Sequence, residues 1–351
     1  MQRAQRIGWS LSGLLIAGLA LSSAARPVAR DVPARLSDQE FWQFSVDASE
    51  PGGFFRSADI TNLTSNEMGY QLVLRDLGAR VRPGRVYLGV GPEQNYTYMA
   101  ALRPGLAIIF DIRRGNLDLQ LMYKALFELA DDRAAFVAML FGRTKPAGLS
   151  ANSSAAAIFD AVGALPPTAA VFERTAAAIE RQLKTVHGLP LPARDFDGVR
   201  TIYETFYQSG YAVRSSPTYA DLMTATDETG TPRSFLASEA AFGFLKDLQS
   251  RNLVVPIVGD FGGPKALRAV GARLTRMNAT VGAFYLSNVE QYLVQDGKWD
   301  AFCRNVVTLP LDSGSTFIRS ESGGVRSFGP GFISSLGNIR DDTRGCAGAA
   351  R

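Results

Sequence analysis

The stretch YLGVGPEQNYTYMAALRPGLAIIFDIRR, Tyr87–Arg114, decides the fold. Its first apolar run leads into Gly89-Val90-Gly91. A helical pattern follows from about Asn95 to Arg103 and stops at Pro104, because proline cannot continue a helix. A second apolar run, LAIIFDI, ends at Asp111 and Ile112. Strand, glycine turn, helix, strand and acid together open a nucleotide-binding unit. The place where a third glycine sits in such a loop holds Glu93.

Outward from this unit the pattern repeats. Strand one is RVYLG, Arg85–Gly89. VVPIVGD is a buried strand ending in Asp260, and VGAFYLSN is another ending in polar residues. NVVTLPL, residues 305–311, reads as a fifth strand. Continuous apolar strands alternating with helices predict a parallel sheet covered on both faces. Upstream, SDQEFWQF pairs Ser37 with Glu40 three residues later, a capping-box helix start. EPGGFF, Glu50–Phe55, is a turn, and SNEMGYQLVLRDLGARV is weakly helical. Leu117, Leu121, Ala125, Leu129, Phe136 and Leu140 mark a long amphipathic helix or a pair of helices. Residues 143–250 change character, with an Ala/Ser/Pro-rich start and then helices and loops.

The expected architecture is α/β: a Rossmann-like three-layer fold with a mainly parallel sheet and a helical insertion. Residues 36–142 form the first part of the core, 143–250 the insertion, 251–340 the second part, and 341–351 a tail.

Bulk properties exclude several function classes. With 46% hydrophobic and 20% charged residues in 351, the chain is globular and can bury a large core. The net charge of +4 is small, and arginine is scattered among acids, so no nucleic-acid partner is expected. One histidine, His187, and two cysteines, Cys303 and Cys346, leave too few ligands for a Cys/His zinc site. No metal is expected. A Ser-His-Asp triad would have to use His187, which sits in the turn-like KTVHGLPLP and reads as a loop residue. A Cys303–Cys346 disulfide is available in an oxidising compartment, but spacing does not decide it.

The first 35 residues read as a signal peptide or N-terminal membrane anchor. MQRAQR is basic, an uncharged run of about 19 residues follows, and small residues at Ser23 and Ala25 precede RPVARDVPAR. Membrane contact is expected only through residues 7–25 if that segment stays uncleaved. The chain is then exported, periplasmic or membrane-anchored. It is cytoplasmic if the true start lies near Leu36.

In open α/β sheets ligands bind beyond the carboxyl ends of the strands. Four polar clusters fall at such ends: Gly89–Glu93, Asp111–Arg114, Gly259–Gly263 and Ser287–Glu290. Glycines let a backbone approach a ligand closely. Asp111, twenty residues after Gly91, is placed to accept hydrogen bonds from ribose hydroxyls. A dinucleotide needs its pyrophosphate on a helix N-terminus. Pro92 removes an amide donor there, and the Glu93 carboxylate repels phosphate.

The strand–Gly-x-Gly–helix–strand–Asp unit resembles class I S-adenosylmethionine-dependent methyltransferases, across roughly residues 85–114 and 253–310. The resemblance implies S-adenosylmethionine as cofactor. It implies a cofactor site made by Gly89, Gly91, Glu93, Asn95, Asp111 and Ile112, with Asp260 near the adenine and Phe261 stacking near the base. Tyr87 stands where that family carries an acid, and Glu93 where it carries the last glycine. Substrate-side candidates are Glu67, Tyr98, Arg113, Ser287 and Asn288. Arg113 and Arg114 could hold a substrate or cofactor carboxylate, but read first as ion-paired surface residues. Glu93 and Glu290 are the candidates for orienting or deprotonating an acceptor. The phrases GVGPEQN, DIRR, GDF and AFYLSNVE also resemble an uncharacterised bacterial family with this core. Three functions remain open: a methyltransferase-like enzyme acting on an unknown small molecule or protein side chain, a non-catalytic envelope-associated binding protein for a small-molecule ligand, and an NAD(P)-dependent oxidoreductase.

Overall fold

The computed structural model describes residues 32–53, 62–322 and 332–348. The expected signal or anchor segment, residues 7–25, and Phe54-Phe55 of the expected turn lie outside them. No helix among the described residues is long and apolar enough to cross a membrane.

Helix α1 (Asp38–Ala48) starts with the capping box read from the sequence: Ser37 and Glu40 satisfy each other's backbone amides. A 3₁₀ turn (Met68–Val73) leads into α2 (Leu74–Arg80). Strand β1 (Val86–Val90), α3 (Gln94–Leu102) and β2 (Leu106–Asp111) follow the expected order. The amphipathic region is a pair of helices, α4 (Arg114–Leu129) and α5 (Arg133–Leu140). The next segment is helical: α6 (Ala155–Gly163), α7 (Ala169–Arg181), α8 (Ala193–Ser209), α9 (Tyr219–Thr224) and α10 (Glu239–Ser250). Then come β3 (Val254–Val258), α11 (Ala266–Arg276), β4 (Val281–Ser287), α12 (Val289–Gln295), α13 (Trp299–Val306), β5 (Leu311–Ser322), β6 (Phe332–Asn338) and α14 (Ile339–Asp342).

The sheet order is β3-β2-β1-β4-β5-β6. Neighbours are parallel from β3 to β5, and β6 runs antiparallel to β5. Every residue of β2 and β3 is buried: helices cover the faces of both, and α1 also packs on β3 at the sheet edge. Helices α3, α4 and α10 pack together, as do α1, α11 and α13. The fold is a Rossmann-like three-layer α/β arrangement. Strand order reverses between β1 and β4, which opens a crevice at their carboxyl ends.

One expected strand is corrected. The segment 305–311 is not a strand of its own: Asn305 and Val306 close α13, and only Leu311 is extended, as the first residue of β5. Phe302, Cys303 and Val306 recur at helical spacing and are buried together. Asn305 faces inward and donates to Phe261 O (2.9 Å) and Gly263 O (2.7 Å), a contact that needs the helical direction. Cys303 of α13 is bonded to Cys346, with Cα atoms 5.3 Å apart, which settles the pairing that spacing left open.

Edge strand β3 contains Pro256, which has no amide to donate and so suits an edge. Helix α1 covers this edge. Ser45 Oγ donates to Pro256 O (2.5 Å), Val258 N donates to Ser49 Oγ (3.0 Å), and Glu50 N donates to Val258 O (2.8 Å).

His187 is not a plain loop histidine. Its Nδ1 meets Asp38 Oδ1 (2.5 Å) at the start of α1, and its Nε2 meets Glu128 Oε2 (2.7 Å) in α4. Lys124 bonds Glu128 Oε1 (2.7 Å) and Asn252 Oδ1 (2.6 Å), and Asn252 bonds Asp38 Oδ1 (2.9 Å). This network ties the helical segment to the core at two places. Burial acts to lower the His187 pKa, but the hydrogen bonds to Glu128 and Asp38 prevail and hold it above the ordinary value. The same partnerships hold Asp38 and Glu128 below theirs against the effect of burial.

A raised histidine contributes stability that is full below its unfolded pKa, about 6.5, and is lost as pH rises through the folded value. His187→Gln is therefore expected to cost about 1.5–3 kcal/mol near pH 6, with the gap to wild type shrinking toward pH 9. Denaturant melts across that range check it; a gap that stays constant with pH means packing alone.

Candidate functional site

The β1–α3 loop is shaped by one side chain. The Asn95 amide donates to Val90 O (2.9 Å), Gly91 O (3.3 Å) and Pro92 O (2.7 Å), and its Oδ1 accepts from Tyr87 OH (2.8 Å). A Cβ at Gly89 would collide with Asn95 Oδ1 and the Tyr87 ring, so Gly89 makes room for this clamp rather than for a ligand. Gly91 differs. Its φ of +77° needs glycine, and a Cβ there would meet nothing.

Glu93 turns inward. Its carboxylate is fully buried and accepts from Ser65 N (3.1 Å). Burial pushes its pKa up to about 7, against the pull of the Ser65 amide and the Arg214 charge. Next to it, Gln94 accepts from Ser65 Oγ and donates to Glu67 Oε2 (2.8 Å) and Tyr98 OH (3.0 Å). These contacts lay the segment Ser65–Glu67 across the loop.

At the end of β2, Asp111 and Arg113 are buried as a pair. Arg113 donates from its backbone N (2.9 Å), Nε (2.9 Å) and Nη2 (2.7 Å) to the Asp111 carboxylate. Arg114 instead pairs with Asp195 of α8. At the end of β3, Asp260 Oδ1 accepts from Gly262 N (2.9 Å), and its Oδ2 meets Lys298 Nζ (2.5 Å). The N-terminus of α11 is filled by a distant carboxylate: Glu50 accepts from Lys265 N (2.8 Å), Ala266 N (2.9 Å) and Asp260 N (3.2 Å). At the end of β4, Ser287 has a φ of +52°, the left-handed region that a β-carbon disfavours. Its Oγ donates to Glu67 Oε1 (2.5 Å).

These strand ends surround one cavity of about 390 Å³. β1 gives Val90, Gly91 and Pro92; β2 gives Asp111, Ile112 and Arg113; β3 gives Gly259, Asp260 and Phe261; β4 gives Tyr285, Ser287 and Asn288. Asn62, Ser65, Asn66 and Glu67 form one side, and α12 with Lys298 closes another. A hollow of about 410 Å³ between α7 and α8 has no strand-end residue and is a groove between helices.

Of the residues expected from sequence, Glu67, Gly91, Asp111, Ile112, Arg113, Asp260, Phe261, Ser287 and Asn288 lie on the cavity wall. Gly89, Asn95 and Tyr98 do not; they hold the loop from behind. Both Tyr96 and Tyr98 are fully buried. The two catalytic candidates are moved away from the cavity. Glu93 is buried under the loop, and Glu290 pairs with Arg319 (2.5 Å), which also holds Asp342. Phe261 lies on the wall, but its ring packs edge-on against Phe110 and Phe284. Sequence reasoning missed Arg214, Tyr285, Tyr292 and Lys298. Tyr285 precedes a polar strand end by two residues, so strand alternation placed it on the same side as Ser287. Nothing in the local sequence marks Arg214.

No group of three or more His, Cys, Asp or Glu side chains suited to a metal ion occurs among the described residues. The profile of a domain of unknown function, DUF7790, matches residues 62–331, most of the chain and all four strand ends of the cavity. The chain belongs to the DUF7790 family. No curated protein matches it. The DUF7790 match begins at Asn62, the first described residue of the cavity wall, and leaves out α1 and Glu50.

The Glu93 environment in this DUF7790 chain yields a pH test. A carboxyl whose folded pKa is raised stabilises fully below its unfolded pKa, about 4.5, and loses that stability as pH rises through about 7. Glu93→Gln is expected to flatten the fall in unfolding free energy between about pH 5 and 8, leaving the variant at least as stable as wild type at the upper end. An unchanged slope in denaturant melts would contradict this.

Proposed function

We propose that the strand-end cavity binds an adenosyl-type small molecule, with S-adenosylmethionine the ligand its walls suit best, and that the chain is a methyltransferase-like protein. One observation carries the reading: the ends of β1, β2, β3 and β4 converge on a single cavity where Gly91 is open and Asp111 stands at the end of the next strand.

The fit of such a ligand rests on the walls. Asp111 takes three hydrogen bonds from Arg113, and a carboxylate has about four acceptor sites, so one remains for a ribose hydroxyl. Asp260 and the face of the cavity with Phe261, Val289 and Leu293 suit a flat, partly apolar base. Both helix N-termini that a pyrophosphate would use are unsuited to it. Pro92 lacks an amide ahead of α3, with Glu93 buried beside it, and Glu50 already takes the amides of α11. A phosphate-free nucleoside ligand meets neither obstacle, which argues against NAD(P).

S-adenosylmethionine, when bound, supplies an electrophilic methyl group. The chain's part is to orient ligand and acceptor in line and to exclude water. Arg113 holds the Asp111 carboxylate in place on the wall. Tyr285, Ser287 and Asn288 face the opposite wall, where an acceptor would lie.

The Cys303–Cys346 bond favours a second reading. Disulfides persist in oxidising compartments, where S-adenosylmethionine is not expected. In that case the same cavity serves an envelope-associated binding protein. A reporter fused at Arg351 separates the two compartments.

Calorimetry with S-adenosylmethionine or S-adenosylhomocysteine is expected to give a heat of binding, weakened at least about tenfold in Asp111→Asn. A folded wild-type protein that shows neither heat nor thermal shift with either compound rules the first reading out.

A further inference from the structure

We propose that Glu67 is a cation-recognition residue of the strand-end cavity, its carboxylate receiving an ammonium group of the bound ligand. The inference deepens the reading of this cavity as an adenosyl site and rests on it for the choice of nucleoside probes.

Carboxylates around the cavity differ in how they are balanced. Asp111 has the Arg113 guanidinium, and Asp260 has the Lys298 ammonium. Glu50 has the amides of α11. Glu67 is 3% exposed and lies on the cavity wall, yet its hydrogen bonds come from neutral groups: Ser287 Oγ on Oε1 and Gln94 Nε2 on Oε2. Among the described residues, the other groups that face it are Tyr285 from β4, Ser320 from β5, Tyr87 from β1, Tyr98 from α3 and Glu93 at the N-terminus of α3. None of these is a cation; Arg214, on the same cavity wall, acts on Glu93. A buried carboxylate bonded only by neutral donors is costly to ionise, and the cost disappears when a cation is brought to it. Burial accordingly raises its pKa, with Ser287 and Gln94 opposing.

The surroundings are built to hold the carboxylate in place. Ser287 adopts its disfavoured φ of +52° at the edge of β4, and the hydroxyl it presents is spent on Glu67. Gln94 is fixed in turn by Ser65 and Tyr98. Tyr285 adds an aromatic ring on the same wall, and its ring packs 5.1 Å from that of Tyr98. An acidic oxygen beside a tyrosine ring suits an ammonium by charge and by the ring's electron-rich face.

Such an ammonium has two sources. It is either the amino-acid tail of the adenosyl ligand or a separate amine substrate bound beside it. Calorimetry on the full chain separates them with three probes: S-adenosylhomocysteine, which carries the tail; 5′-methylthioadenosine, which lacks it; and ethanolamine, an amine alone. If the tail is the source, Glu67→Gln weakens S-adenosylhomocysteine at least about tenfold and leaves 5′-methylthioadenosine unchanged. If a separate amine is the source, Glu67→Gln weakens ethanolamine by a similar factor and leaves both nucleosides unchanged. In either arm, wild-type binding strengthens as rising pH ionises Glu67, and Glu67→Gln loses that dependence. Ser287→Ala, which frees the carboxylate without removing it, weakens the same probe by a smaller factor and serves if Glu67→Gln melts well below wild type.

Equal binding of all three probes by wild type and Glu67→Gln, or equal weakening of all three, overturns the proposal while leaving the adenosyl site standing. Ethanolamine binding that depends on Glu67, with no nucleoside bound, supports the cation site and removes the adenosyl reading. Binding of none of the probes to wild type overturns both.

Discussion

The site depends on the Asn95 side chain. Three consecutive carbonyls, those of Val90, Gly91 and Pro92, turn toward one amide, and Tyr87 holds that amide's oxygen. This fixes the loop in the absence of a run of glycines. It explains why position 89 must lack a side chain, and why Gly91 can present a bare backbone to the cavity. A tight loop can be held by close backbone approach to a ligand or by side-chain hydrogen bonds from within. Here it is held from within, so its shape exists before any ligand arrives.

A second constraint runs through the same region. Helix N-termini at the carboxyl edge of an α/β sheet attract anions. At α11 this chain supplies its own: Glu50, from the segment after α1, accepts the first amides of the helix. Glu93, buried at the start of α3, turns to the Ser65 amide instead. Both carboxylates then act as structural ties. Glu50 draws the N-terminal segment onto β3, and Glu93 draws Ser65 onto the β1–α3 loop. Electrostatics that other proteins direct at a ligand is directed here at closing the walls of the cavity.

Much of this was legible in the sequence, for identifiable reasons. Apolar runs that end in Gly or Asp mark both the strand and its carboxyl end, so Gly91, Asp111, Asp260 and Ser287 converged as expected. The fold class followed from the same runs. The direction of a side chain was not legible. Glu93 next to a glycine loop reads as facing a ligand, yet the buried Ser65 amide that claims it lies 28 residues upstream. Arg214 reaches the cavity from the helical segment, far from the motif in sequence. The strand assigned to residues 305–311 failed because Val306, Val307 and Leu309 suit a strand by composition, while Phe302, Cys303 and Val306 carry the helical spacing that packing selects. Composition competed with periodicity there, and periodicity prevailed.

The cover that α1 places over β3 has a consequence for how the chain assembles. The helix and the strand edge it protects are about two hundred residues apart. At ribosomal speeds the helix emerges on the order of 10 s or more before its partner strand. During that interval its apolar face, with Phe41 and Phe44, has no native surface to bury against, and once β3 forms its open edge is free to pair with a stranger until α1 docks. Docking of the first helix is therefore what closes this edge, and a chain whose α1 has not yet docked is the one most exposed to wrong pairing.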